Sequence, residues 1–199
     1  MALNFDNPYE IREISSDYRM MHFFTEVNGK PHLLRARIDN EQHFLMPSVF
    51  NLSFGPPMAD NDTHIDDTIL LKHDNLDRVM STVLLFLYTY LKSNPEHYIG
   101  IDGSCDRRAL LYFRKIKANT QLLSGLFSII SGVKYYIRLK RFSKPDQRLS
   151  PKDQLLIIHD SVRENLDIRD VVPIPEMITE HTALKGMEYN YNYFIFKIK

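Results

Sequence analysis

The thirteen residues from Val79 to Leu91 are hydrophobic at every position except Ser81, Thr82 and Thr89. That run falls short of the ~20 residues needed to span a bilayer, so the rest of the chain has to cover it. Leu76, Val79, Met80, Val83, Leu84, Leu87 and Leu91 recur at helical spacing, and Leu85, Phe86, Tyr88 and Tyr90 make the later turns apolar on most sides. The pattern predicts a buried helix over about 74–93. Asp74 is placed to cap it, Asp77 adds negative charge to its first turn, and Asn94-Pro95 stops it.

Strand signals surround this helix. Arg19 to Val27 and Pro31 to Ile38 flank Asn28-Gly29, a pair that accepts positive φ at both positions and so favours a tight hairpin. Tyr9 to Ser15 alternates loosely. Phe44 to Phe54 is β-compatible and ends at Gly55-Pro56-Pro57, which cannot continue a ladder. Met58 to Asp67 reads as a polar loop with four aspartates, and Thr68 to Lys72 as a short strand. Tyr98 to Asp102 forms a strand leading into Gly103. A second helix is expected from about 105 to 118, and Thr120 to Phe127 suits a short third one.

Val133 to Phe142 alternates apolar positions with Lys134, Arg138 and Lys140, a strand with one basic face. Gln154 to His159 suits another strand, and Val171 to Pro175, with two prolines, should be irregular. Tyr189 to Lys199 is apolar on both faces, as an internal strand would be. The expected fold is α+β: a mainly antiparallel sheet with an N-terminal hairpin, packed on the 74–93 helix and the 105–118 helix. Residues 1–142 would form the core domain, 143–188 an irregular insertion or linker, and 189–199 a strand returning to the core sheet.

Composition narrows the function classes. The 199 residues are 44% hydrophobic and 12% aromatic, enough for one packed core. The formal net charge is zero, which argues against a polybasic coat for membrane or nucleic acid. The single cysteine, Cys105, cannot close an internal disulfide, and Met-Ala-Leu-Asn-Phe-Asp is no secretory leader. A cytoplasmic protein without a membrane partner is expected.

That neutrality hides a segregation. From Arg107 to Arg148 there are eleven Lys/Arg residues and one acid, whereas Pro57 to Asp102 holds eight acids and three bases. The basic stretch is interleaved with Tyr112, Phe113, Tyr135, Tyr136 and Phe142, and such a surface can hold phosphates and stack bases. The plainer alternative is that the acidic and basic segments pair with each other across the fold.

The basic stretch opens at Gly103-Ser104. A turn there, with a helix N-terminus behind it and Arg107, Arg108 and Arg114 in the helix, could hold an anion. Gly103, Ser104, Arg107, Arg108, Tyr112 and Arg114 are the candidate anion-binding residues, and Lys134, Arg138, Lys140 and Arg141 the candidate basic surface. The pattern is neither a P-loop nor a dinucleotide fingerprint. Nor is Ile101-Asp102-Gly103-Ser104-Cys105 a nucleophile elbow, and no histidine is spaced to activate Cys105.

Asp60, Asp62, His64, Asp66 and Asp67 fail the EF-hand pattern, since the sixth position is Ile65 and the twelfth Leu71. No cofactor is expected. The alternative is a divalent metal on Asp66 and Asp67.

Several pieces in order carry a family resemblance: Asn51-Leu52-Ser53-Phe54-Gly55, Ile65-Asp66-Asp67, Asp77 to Val83, Gly103-Ser104 with Arg108, Leu111 and Tyr112, and Asn192 to Lys197. The chain resembles a family of small uncharacterised bacterial proteins of about 150 residues, a domain of unknown function of single-domain size. The resemblance covers Tyr9 to Phe142 and the last strand. The chain departs from the family's turn-helix at Cys105, where the family has Thr, and at Leu110, where it has a second arginine.

The resemblance brings no activity with it. The expected function is binding of a phosphate-bearing partner, nucleic acid or nucleotide, through the basic surface, with a toxin–antitoxin or phage-defence pair and its cognate protein as one setting for it. The alternatives are a metal-dependent nuclease or nucleotide hydrolase using Asp66 and Asp67, and a non-catalytic interaction module that oligomerises through its aromatic C-terminal strand.

Overall fold

The computed structural model describes residues 2–43, 46, 48–58, 61–66, 69, 71–103, 106–133, 176–178 and 193–199. The Asn28-Gly29 pair does what its chemistry demands. Both residues have positive φ, 52° and 70°, and they join β2 (Met20–Val27) to β3 (Lys30–Gln42) in unbroken antiparallel register from Val27↔Lys30 to Met20↔Arg37. Outside β2 runs a short edge strand, β1 (Ile11–Ile14). On the other side β3 pairs with β4 (Val49–Gly55).

After β4 the chain forms a small separate hairpin, β5 (Pro57–Met58) with β6 (Asn61–Ile65). This corrects the expectation of a loop over 58–67. Neither Leu71 nor Lys72 belongs to a strand, so the strand expected at Thr68 to Lys72 does not form at those residues.

The chain then enters α1 (Leu76–Ser93) and returns as β7 (Tyr98–Asp102), parallel to β4. From β7 it passes through α2 (Asp106–Ala118) and α3 (Thr120–Leu126) into β8 (Phe127–Val133). The last strand, β10 (Tyr193–Ile198), lies between β7 and β8 and is antiparallel to both, while β9 (Glu176–Met177) pairs with β8 at the edge. The eight-stranded order is β1-β2-β3-β4-β7-β10-β8-β9. The fold is α+β with a mostly antiparallel sheet.

Both helical crossovers step the same way along the sheet, and the usual right-handed sense then puts α1 and α2 on one face. The core agrees. Leu34, Ala36, Phe50, Leu52, Ile99, Ile101, Phe194 and Phe196 from alternate strand positions pack with Val79, Val83 and Leu87 of α1 and Tyr112, Phe113 and Ile116 of α2. Two of the three serine and threonine interruptions in α1, Ser81 and Thr82, are buried as well, and they hold the N-terminal arm. Ser81 Oγ accepts from Asn4 N at 3.0 Å and Thr82 Oγ1 from Tyr9 N at 2.8 Å, each donating its proton to a carbonyl one turn back.

Two boundaries differ from the sequence reading. The cap of α1 is Asn75, whose side-chain oxygen accepts from Arg78 N at 2.9 Å, and not Asp74. The Asp74 carboxylate turns instead to the hairpin tip, accepting from Asn28 N (2.9 Å) and Gly29 N (2.8 Å). Val133, expected to open a strand, already lies within one: β8 begins at Phe127, with Gly132 inside the ladder opposite Phe194. Residues 134–142, 154–159 and 171–175 lie outside the described residues. Among the described residues, no helix is long and apolar enough to cross a membrane.

Candidate anion-binding cleft

A cleft of about 530 Å³ opens between the start of α2 and the segment that leads into α1. Phe54, Gly55 and Pro56 at the end of β4 close its back. Ile69, Leu71, Lys72, His73 and Leu76 form one wall, and Arg108, Leu110, Leu111, Tyr112 and Arg114 of α2 the other.

Local chemistry fixes both walls. The first is pinned by Asp74, whose carboxylate holds the hairpin tip while its N–H donates to Glu26 O at 2.9 Å. The second is set by Gly103, buried where β7 runs into α2. A β-carbon there would stand 2.5 Å from Ala109 Cα and 2.6 Å from Ala109 N. Only a residue without a side chain lets the helix backbone come that close. An ion pair between Asp77 of α1 and Lys115 of α2 locks the helices together.

The walls carry one sign of charge. Lys72 and Arg114 are both exposed, and neither makes an ion pair among the described residues. Arg108 is half-buried, and its Nη2 donates to Ile69 O at 2.6 Å, bridging the mouth of the cleft. His73 Nδ1 sits 3.3 Å from Thr25 Oγ1. Burial pushes this imidazole below its ordinary pKa, His32 adds to the depression and Asp74 opposes it. Among the described residues, no carboxylate lines the cleft. A second hollow of about 490 Å³, between Ser15–Arg19 and Arg37–Glu41, mixes Asp17, Asp39 and Glu41 with Arg19 and Arg37 and has no such bias.

Of the residues singled out from sequence, Arg108, Tyr112 and Arg114 meet in this cleft. Gly103 shapes it from behind and does not line it. Ser104 and the side chain of Arg107 lie outside the described residues, as do Lys134, Arg138, Lys140 and Arg141. Tyr112 is no stacking platform. It is only 7% exposed, with its ring packed on Phe54 (6.1 Å) and Phe194 (6.4 Å).

Asp66 does not line the cleft; its backbone packs on Gly55, which does, and its N–H donates to Pro56 O at 2.9 Å. Asp67 lies outside the described residues, and among those described no group of three His, Cys, Asp or Glu is placed to hold a metal. Lys72 was missed in sequence, and His73 was not read as part of this site. The available signal was that Lys72 is the one Lys or Arg between Pro57 and Asp77.

The sheet's opposite face carries a polar network beside a small apolar cluster of Met46, Val49, Tyr193 and Ile195. Glu13 Oε2 lies 3.1 Å from His22 Nδ1, and Arg35 Nε donates to His22 Nε2 at 2.7 Å, tying β1, β2 and β3 together. The donation from Arg35 fixes the neutral tautomer with the proton on Nδ1. Tyr193 lies over Gly100 on this face, and burial, reinforced by Asp102 and Asp39, pushes its phenol well above the usual range. Both flanks of β10 are paired within the sheet, so this strand offers no free edge for oligomerisation.

Burial lowers the pKa of His43, His73 and His97 alike. All three therefore take up protons more readily in the unfolded chain, whose imidazoles titrate near 6.5. Their contribution is complete above about pH 6.5 and is lost as pH falls below it. The urea midpoint should drop between pH 7.5 and 5.5, with a shallower drop in His73→Gln. A midpoint that stays level or rises on acidification contradicts the burial of these rings.

The model of a family of unknown function, DUF6934, matches residues 6–148. The matched span contains β1 to β8, the three described helices and every described residue lining the cleft, and ends before β9 and β10. No curated protein and no solved structure matches the chain. With 143 of 199 residues matched, and with the core sheet and cleft inside the match, the chain belongs to the DUF6934 family.

Proposed function

We propose that the chain is a binding protein whose cleft holds a phosphate-bearing ligand without breaking it down. The supporting observation is the convergence of Lys72, Arg108 and Arg114 on one apolar-walled cleft whose described lining has no carboxylate. Cationic donors make charge-assisted hydrogen bonds to phosphate that are stronger than neutral ones.

Equilibrium dialysis with a labelled nucleotide tests the reading. Lys72→Glu and Arg114→Glu should each weaken binding by about 10–100-fold, the range expected when a charged hydrogen-bond partner is lost or reversed, and rising salt should weaken the wild type. Equal affinity in the variants, or binding indifferent to salt, would sink it.

A second reading rests on Asp66 packing against Gly55 at the back of the cleft: metal-dependent hydrolysis through Asp66 and Asp67. It requires magnesium-dependent turnover of the bound nucleotide that a chelator and Asp66→Ala both abolish. The binding reading expects no turnover.

A further inference from the structure

The cleft gathers more positive charge than one phosphodiester presents. Arg108 and Arg114 stand six residues apart on α2, about 9 Å along the axis, and Lys72 faces them from the opposite wall. A phosphodiester in a nucleic-acid strand carries one negative charge, and a protein following the strand meets such charges singly along a track. A terminal phosphate monoester carries about −1.5 to −2 at neutral pH and three acceptor oxygens in one place. Three cations around one pocket match the second arrangement.

The rest of the pocket points the same way. Phe54, Leu71, Leu76 and Leu111 give it apolar walls, and its size falls within the range of small-molecule sites. The aromatic rings on which a single strand would stack, Tyr112 and Phe113, are only 7% and 6% exposed. Among the described rings of the basic stretch, a strand running past this cleft would find none exposed to stack on.

Building on the phosphate-binding reading above, we propose that the cleft recognises a terminal phosphate monoester carried on a compact apolar or aromatic body, nucleoside 5′-monophosphates being the representative class. The phosphate lies between Arg108, Arg114 and Lys72. The body lies against the leucines and Phe54, where a bare phosphate would leave apolar surface uncovered.

Calorimetric titration of the full chain with five probes decides it: 5′-AMP, phenyl phosphate, 3′,5′-cyclic AMP, inorganic phosphate and an unphosphorylated deoxyadenosine oligomer. AMP and cyclic AMP share base and sugar and differ in whether the phosphate is a monoester. The expected result is that AMP binds at least about tenfold tighter than cyclic AMP, that AMP or phenyl phosphate outbinds inorganic phosphate, and that Arg114→Ala narrows the AMP-to-cyclic-AMP ratio.

Cyclic AMP or the oligomer binding as tightly as AMP overturns the monoester inference while leaving a phosphate site in place. So does inorganic phosphate matching both organic monoesters, since the apolar body then counts for nothing. No binding of any probe at millimolar concentration overturns the phosphate-binding reading itself.

Discussion

Gly103→Ala is expected to lower the unfolding free energy by about 1–3 kcal/mol, the usual cost of forcing a methyl group into a packed interior, and to weaken ligand binding as well. The atoms that the new methyl would meet are Ala109 Cα and N, which belong to the helix backbone and cannot rotate aside. Relief therefore requires α2 to move away from β7, and α2 is one wall of the cleft. Gly125→Ala is the control. Nothing lies within 4 Å of its added carbon, and it sits inside α3, so the better helix former should be neutral or mildly stabilising. Equal denaturant midpoints for the two variants would mean that the close approach at Gly103 does not hold α2 in place.

Asp77→Ala is expected to cost about 3–5 kcal/mol, because removing one member of a buried ion pair strands the charge of the other. The side chain of Lys115 is 9% exposed and that of Asp77 19%, so water screens neither well. Asp77→Leu combined with Lys115→Met should cost much less than Asp77→Ala alone, since the double change removes both desolvated charges and fills the space. A double-mutant cycle by urea unfolding gives the coupling directly. A coupling near zero would show that the pair contributes no more than an exposed one, and that α1 and α2 are held by apolar packing alone.

The parts of the fold that sequence disclosed are those governed by neighbours in the chain. Asn28-Gly29 names its own turn because the positive φ at both residues is a local requirement. Tyr98–Asp102 appears where the pattern put it, and apolar residues on both faces of the last strand pointed to an internal or well-covered strand, as β10 between β7 and β8 is.

What stayed hidden was decided at a distance. Asp74 reads as a cap, and the carboxylate goes instead to a hairpin tip 45 residues away. Gly132 reads as the break before a strand, yet it sits within one opposite Phe194. The prolines and aspartates of 57–65 disguised the β5–β6 hairpin.

The site divides along the same line. Arg108 and Arg114 were legible because they follow the Gly103 turn on a single helix. Lys72 and His73 were not, because they reach the cleft from a segment read as a strand and brought there by the Asp74 clamp. The fate of Tyr112 turned on Phe54 and Phe194, which no local pattern links to it. Acid–base pairing between the two charged segments, the plainer expectation, occurs at Asp77 and Lys115.

The most direct test is to map where a ligand touches the chain. Backbone amide chemical shifts followed during titration of AMP into labelled protein should move together, to one saturating affinity, at Leu71 to His73 and from Arg108 to Arg114. The amides of His22, Arg35 and Asn51, on the opposite face of the sheet, should stay still. Saturating shifts confined to that opposite face would contradict a phosphate site in this cleft, and so would a complete absence of shifts at millimolar AMP.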